Sequence, residues 1–370
     1  MQPLIESARG ATLIGRDGRK YLDLSMGYGS VWLGHGDPAV ACALQAQLAR
    51  YAAPGYLASG ALETAEAAFS TLLPAGYFLG GIYSTGMEAV EAALRAAWAH
   101  TGRLDLAGFA GSEHGRSFVA AALGAEPAAA YMSGEPAFVH RLPGFAEPSA
   151  AAALERLAGE TALAAVVVEP IQMTGGGHAI GAALCERLFA LARQKGFAVI
   201  FDEALTAPYR CGARFYGELA GQAPDILVLG KGLGNGFPCA AVALRRGFTW
   251  ERSQVRPSST FWNHPLACAA VAATLGELAR LDPARKVQAI EAVVRETLGA
   301  LALRGRGAMW CLSLPDAARQ AAFVAKLFEE GIVVSYYPGC IRLLPPLCIE
   351  PGELRRGCET IQAAHADTFG

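Results

Sequence analysis

Residues 198–238 read AVIFDEA, then a polar and glycine-containing passage, then PDILVLGKGLGNGFP. Runs rich in Val, Ile and Leu and closed by polar or glycine residues are the pattern of strands covered on both faces, as in parallel sheets. Open sheets of that kind bind ligands at the carboxyl ends of their strands. Asp202 closes the first run and Lys231 the second. A carboxylate and an amine, each delivered by its own strand, can therefore face one bound molecule.

An Asp–Lys pair can also be a plain ion pair. The glycines favour more: Lys231 lies between Gly230 and Gly232, with Gly234 and Gly236 following, so backbone can approach closely around the amine. That suits a lysine tied covalently to a bulky, flat cofactor. A desolvated lysine forms Schiff bases with carbonyls, and pyridoxal 5′-phosphate also needs an acid paired with its pyridinium nitrogen. Asp202 supplies that acid.

Two nucleotide readings fail on spacing. A Walker A loop needs a glycine five positions before the Gly-Lys pair and a Ser or Thr after it, where this chain has Asp225 and Gly232. The dinucleotide fingerprint is absent because the glycines alternate as Gly232, Gly234, Gly236.

The chain of 370 residues is long enough for a sizeable core and more than one lobe. A net charge of −2 gives no basic footprint for nucleic acid, and although 53% of residues are hydrophobic, no apolar run is long enough to cross a bilayer. The start MQPLIESARG has no signal-peptide character, and nine cysteines scattered without C-x-x-C spacing read as reduced thiols. The expectation is a cytoplasmic protein with no metal site and a large subunit interface.

In chain order, residues 10–24 predict a hairpin turning at Asp17-Gly18. The irregular, aromatic SMGYGSVWLGHGDPAV follows; Tyr28 and Trp32 either line a pocket or cover a hydrophobic loop. Helices are expected over 38–50 and 61–73, a strand over 81–83, and then STGMEAVEAALRAAWAHTG. Its helix starts at Ser84 or Thr85 with Glu88 in the first turn. Such an N-terminus is an ordinary cap or, beside a Schiff-base lysine, a phosphate cup.

Short strands and loops fill 105–165, with Glu113, His114 and Arg116 beside glycines, and AAVVVEPIQ predicts a buried strand ending at Glu169. A helix over 182–195 leads to Asp202, completing a βαβ pattern. Thr260 and His264 precede a long helix, and the remainder from 283 predicts a small α+β lobe. Arg342 sits on a strand in apolar sequence, where an unpaired guanidinium is costly. It needs an anionic partner.

The segments DGRKYLDL, STGMEAVEAALRAA, VVVEPIQ, IFDEALT, LGKGLGNGFP, STFWNHPLACAA and IRLLPPL, in this order, span nearly the whole chain. With them the chain resembles the class III pyridoxal-phosphate aminotransferases, of the ornithine, acetylornithine and 4-aminobutyrate type. The resemblance implies an α/β protein of fold type I: a large doubly wound, mainly parallel cofactor domain over 46–278, and a small lobe built from 1–45 and 279–370. It also implies a homodimer with shared active sites. Carried over by position, Lys231 forms the Schiff base and shuttles the proton, and Asp202 pairs with the pyridinium nitrogen. Thr85, Gly86 and Met87 form the phosphate cup, joined by Thr260 of the partner subunit. Arg342 binds a substrate carboxylate, with Glu169 as its partner otherwise. Tyr28, Trp32 and Tyr56 line the substrate pocket.

Three departures accompany the likeness. Glu113 stands where the family has an aromatic residue, leaving His114 to cover the ring; Leu205 stands in place of a glutamine, and Ala204 in place of a branched residue. The chain is also short, which implies a specialised biosynthetic enzyme. The expected function is transfer of an amino group between an amino acid or terminal amine and an oxo compound, at least one of them carboxylated. The alternatives are an aminomutase, decarboxylase, racemase or carbon–carbon bond-forming enzyme of the same fold, or a catalytically silent homologue.

Overall fold

The computed structural model describes residues 4–55, 57–124, 134, 136–248 and 258–370. Its largest sheet has seven strands in the order Tyr77–Tyr83, Ala240–Arg245, Ile226–Leu229, Ala198–Asp202, Leu163–Val168, Asp105–Phe109, Val139–Leu142. The last five run parallel to one another, whereas Ala240–Arg245 is antiparallel to both its neighbours. Every residue of Leu163–Val168, Ala198–Asp202 and Ile226–Leu229 is buried, which is why these strands read as unbroken apolar runs.

Strand alternation sends the side chains into two cores. Val166, Val168, Val199, Phe201, Leu227 and Leu229 pack on one face with helices Ala182–Lys195 and Pro265–Arg280. Ala165, Val167, Ile200, Ile226 and Val228 pack on the other with helix Gly86–Thr101. Helices on both faces leave only the strand ends for polar chemistry.

Both chain ends meet in a second sheet. The predicted hairpin forms as Thr12–Gly15 and Lys20–Asp23, with Gly18 at φ +82° in its turn, and Ile5–Arg9 adds an outer strand absent from the sequence reading. Ile332–Val333 pairs in parallel with Lys20–Asp23. A third sheet orders Leu303–Arg306, Met309–Ser313, Cys340–Leu343 and Ser335–Tyr337. Among the described residues no helix is long and apolar enough to cross a membrane.

One buried cation joins these parts. Arg210 is 2% exposed, and its guanidinium donates to the carbonyls of Ala308 (3.1 Å), Pro345 (3.3 Å) and Gly29 (3.0 Å) while lying 4.1 Å over the Trp32 ring. Among the described residues it has no carboxylate partner, and burial lowers its pKa to about 9. The turn after Asp202 is thus tied to the N-terminal loop and to the C-terminal segment. Replacing Arg210 by Met strands three buried carbonyls, so chemical denaturation should show a loss of about 3 kcal/mol; a change below ~0.5 kcal/mol would contradict this role.

Candidate active site

The ends of four adjacent parallel strands carry the central groups. In sheet order, Lys231 follows Ile226–Leu229, Asp202 ends Ala198–Asp202, Glu169 follows Leu163–Val168, and His114 lies in the loop after Asp105–Phe109. Asp202 is 4% exposed, with Oδ2 2.8 Å from His114 Nδ1 and Oδ1 accepting from the Ala204 N–H at 3.2 Å. With Asp202 ionised, Nδ1 carries the proton of that bond. His114 Nε2 is buried and has no hydrogen-bond partner among the described residues.

Glu169 accepts from the N–H of Glu113 (2.9 Å) and of Met173 (3.4 Å). Burial raises its carboxyl to about 7; the Lys231 ammonium, the Glu113 N–H and His114 oppose that rise, and the charge of Asp202 adds to it. Glu169 therefore senses the other three groups. Gln172 fixes the loop beside it, donating through Nε2 to Ala110 O and Ser112 Oγ, both at 2.9 Å.

Lys231 begins a short turn, Lys231–Gly234, at a left-handed φ of 45°, a conformation that costs a non-glycine residue about 1 kcal/mol or more. Asn235 holds this turn, accepting from Leu33 N–H at 2.8 Å and donating to Gly34 O at 3.1 Å. A Cβ on Gly232 would stand 2.8 Å from Trp32 Cβ, and one on Gly230 would stand 3.4 Å from Ala204 Cβ. Small residues here let the lysine backbone pack down on the sheet. The half-buried Lys231 amine makes no hydrogen bond or ion pair with the described residues.

Helix Gly86–Thr101 begins with a reciprocal cap: Thr85 Oγ1 accepts from Glu88 N–H at 3.1 Å, and Glu88 Oε2 accepts from Ser84 N–H at 2.9 Å. The N–H groups of Gly86 and Met87 have no intrahelical acceptor. A Cβ on Gly86 would meet nothing within 4 Å, while one on Gly115 (φ +116°) would stand 2.9 Å from Met87 Cβ. The His114 loop thus lies against an open helix N-terminus suited to an anion.

Arg342 lies in mid-strand, opposite Cys311 on one side and Ser335 on the other. It is 6% exposed, donates through Nε to Ser335 Oγ at 3.2 Å, and lies 4.4 Å from the Tyr337 ring and 5.7 Å from the Tyr28 ring. Cys311 Sγ, 3.3 Å from Met173 O, links this strand to the segment that bonds Glu169.

Several expectations need correction or comment. Glu169 forms no ion pair with Arg342; its oxygens accept from the backbone N–H groups of Glu113 and Met173. Trp32 does not line a pocket: it is 1% exposed, its indole N–H donates to Pro208 O at 3.1 Å, and Arg210 covers its face. Leu205 is buried, reaching to within 2.6 Å of where a Gly29 Cβ would be. Tyr28 is 64% exposed beside Arg342, whereas Tyr56 lies outside the described residues. Thr260 is exposed before helix Pro265–Arg280, in a segment anchored by Asn263 to Ile82. Ser335, Tyr337, Gln172 and Asn235 were missed as site supports; only the register of strand pairs could have found the first two.

The family model described as Aminotransferase class-III matches residues 1–365. This chain belongs to the class-III aminotransferase family. It is 36% identical over 344 residues to a candidate LysW-aminoadipate semialdehyde/glutamate semialdehyde transaminase of Aeropyrum pernix, covering 90% of this chain and 87% of that one. It is 30% identical over 380 residues to the 4-aminobutyrate aminotransferase GabT of Escherichia coli, covering 93% and 89%. A solved structure from directed evolution of transaminases by ancestral reconstruction superposes with a TM-score of 0.90 at 20% identity, covering 99% of this chain and 93% of that one. Class-III aminotransferases depend on pyridoxal 5′-phosphate, and this aminotransferase is a pyridoxal-phosphate-dependent transaminase. The Lys231 amine and His114 Nε2, both without a hydrogen-bond partner among the described residues, and the open Gly86 turn fit that cofactor.

Glu169 and Glu203 both carry carboxyls raised by burial from 4.5 to about 7. The native state then holds protons that the unfolded chain releases, so stability is present below about 4.5 and falls as pH rises towards 7, by up to about 3 kcal/mol per group. In the cofactor-free aminotransferase, Glu169→Gln should flatten the decline of unfolding free energy over that window by roughly half. An unchanged slope would show that Glu169 titrates normally.

Proposed function

We propose that Lys231, Asp202, His114 and the Thr85–Met87 turn hold the cofactor of this transaminase, and that Arg342 seats the carboxylate of a substrate. The convergence of His114, Glu169, Asp202 and Lys231 on adjacent strand ends carries this reading. When bound, pyridoxal phosphate supplies a ring that withdraws electrons from the carbon losing its proton. Asp202, oriented by His114 and by the Ala204 N–H, is the acid for the ring nitrogen. Gly86 and Met87 offer N–H groups to phosphate.

The Lys231 amine is the covalent attachment point and then, when freed, the base that moves a proton within the site. Glu169 feels the charge of that amine, which opposes the rise of its carboxyl. Arg342, bonded among the described residues only through Nε, keeps both Nη groups for the paired oxygens of a carboxylate. The names of the relatives make 4-aminobutyrate and the aminoadipate and glutamate semialdehydes the first compounds to test.

The reading extends to architecture. Residues 46–278 form the cofactor domain, 1–45 and 279–370 the small lobe, and a homodimer in the cytoplasm completes the site, with Thr260 serving the partner subunit's phosphate cup. A specialised biosynthetic role fits the short chain. The mutase, decarboxylase and racemase alternatives gain no support, since Leu205 fills space over Gly29 and Glu113 serves Glu169 through its backbone.

Lys231→Ala should abolish oxo-acid formation while circular dichroism stays unchanged, and Asp202→Ala should lower kcat by at least about 100-fold. Turnover by folded Lys231→Ala protein would refute the mechanism.

A further inference from the structure

We infer that Cys311 and Cys340 form a redox-active thiol pair, which a peroxide closes into a disulfide that disturbs the segment bonded to Glu169 and slows turnover. Chemistry at this pair lies outside transamination itself.

Strand register brings the two sulfurs together. In the antiparallel pair Met309–Ser313 and Cys340–Leu343, Cys311 stands across from Arg342 and Ser313 across from Cys340. The two cysteines are therefore diagonal neighbours on one face. Both are free thiols, and they hydrogen-bond to each other. Cys311 is fully buried and Cys340 is 4% exposed, so the oxidant that reaches them must be small.

Cys340 is the sulfur prepared to react. It accepts from the Cys311 thiol and from the Tyr337 N–H, and the Arg342 guanidinium adds its charge; together they hold its thiol down to about 7 against the opposing effect of burial. Burial instead pushes Cys211, Cys239 and Cys268 up to about 12. The thiolate is the form that attacks a peroxide.

Oxidation balances in two steps. The Cys340 thiolate attacks one peroxide oxygen and the O–O bond breaks, giving a sulfenic acid and hydroxide, which takes up the proton that Cys340 released and becomes water. The Cys311 sulfur then attacks the Cys340 sulfur; the S–S bond forms, and the sulfenic oxygen leaves as water with the Cys311 proton. Two thiols are oxidised by two electrons, and the peroxide is reduced to two waters.

Closure reaches the active site by moving a strand. Diagonal Cα atoms lie about 7–8 Å apart, beyond the roughly 4.4–6.8 Å that a disulfide spans. Gln320 pins the Cys340 turn, donating through Nε2 to Tyr337 O (2.7 Å) and Cys340 O (3.1 Å) and accepting from the Gly339 N–H (2.9 Å). The Cys311 strand is therefore the one that shifts. The Cys311 S–H, shared with Met173 O at 3.3 Å, is lost, and Cys311 lies so close to Gly177 that a Cβ there would stand 2.9 Å from its own. Met173 is a residue whose N–H bonds Glu169. A disulfide closed under such strain is readily reduced again.

The test treats the holoenzyme with hydrogen peroxide, blocks the remaining thiols with iodoacetamide and maps peptides without reduction. The expected product is a peptide pair joined through Cys311 and Cys340. Amide hydrogen exchange over residues 171–179 should rise, and kcat/KM for 4-aminobutyrate or glutamate should fall at least about 10-fold. Dithiothreitol, followed by desalting into fresh pyridoxal phosphate, should reverse all three changes. Cys340→Ser should keep the basal activity and escape the reversible loss. Sulfinic acid at Cys340 with no cross-link, a cross-link that leaves exchange and turnover unchanged, or an equal reversible loss in Cys340→Ser overturns the inference. Cross-link and exchange are both read without turnover, so their failure is distinct from a failure of the proposed cofactor and substrate roles.

Discussion

A strand buried on both faces can present a charged group only where it ends, and four such strands lie side by side in this protein. Ile226–Leu229, Ala198–Asp202, Leu163–Val168 and Asp105–Phe109 deliver Lys231, Asp202, Glu169 and His114 to one edge of the sheet. Everything polar about the site follows from that constraint. The Asp202–His114 bond and the raised carboxyl of Glu169 exist because helices on both faces exclude water from the strands beneath.

The remaining structure holds that edge in register with the parts around it. Asn235 bonds the Lys231 turn to Leu33 and Gly34, and Arg210 ties the segment after Asp202 to Gly29, Ala308 and Pro345. Both are polar residues used where a purely apolar contact would fix distance but not direction. Trp32, packed between Arg210 and Gly232, turns out to be part of this brace.

Much of this was legible in the sequence, for identifiable reasons. Unbroken Val, Ile and Leu runs closed by Asp202, Glu169 and Lys231 announced the covered strands, and the Thr85-x-x-Glu88 pattern announced the capped helix. Strand Ala240–Arg245 went unread because alanine-rich sequence has no strand periodicity, and only its neighbours on either side make it one. Ile5–Arg9 is mostly exposed and so carries no apolar alternation. Trp32 was misjudged because a loop aromatic gives no sign of which side is packed. The Glu169–Arg342 pairing failed because backbone N–H groups, invisible in sequence, captured the carboxylate first.

The central claim is that Lys231 is the residue to which the cofactor attaches. Borohydride reduction of the cofactor-loaded protein, followed by proteolysis and mass spectrometry, addresses it directly. The account predicts one modified peptide, containing Lys231 and carrying the mass of reduced pyridoxal phosphate. Modification of a different lysine, or none at all in protein that retains the cofactor, would contradict it.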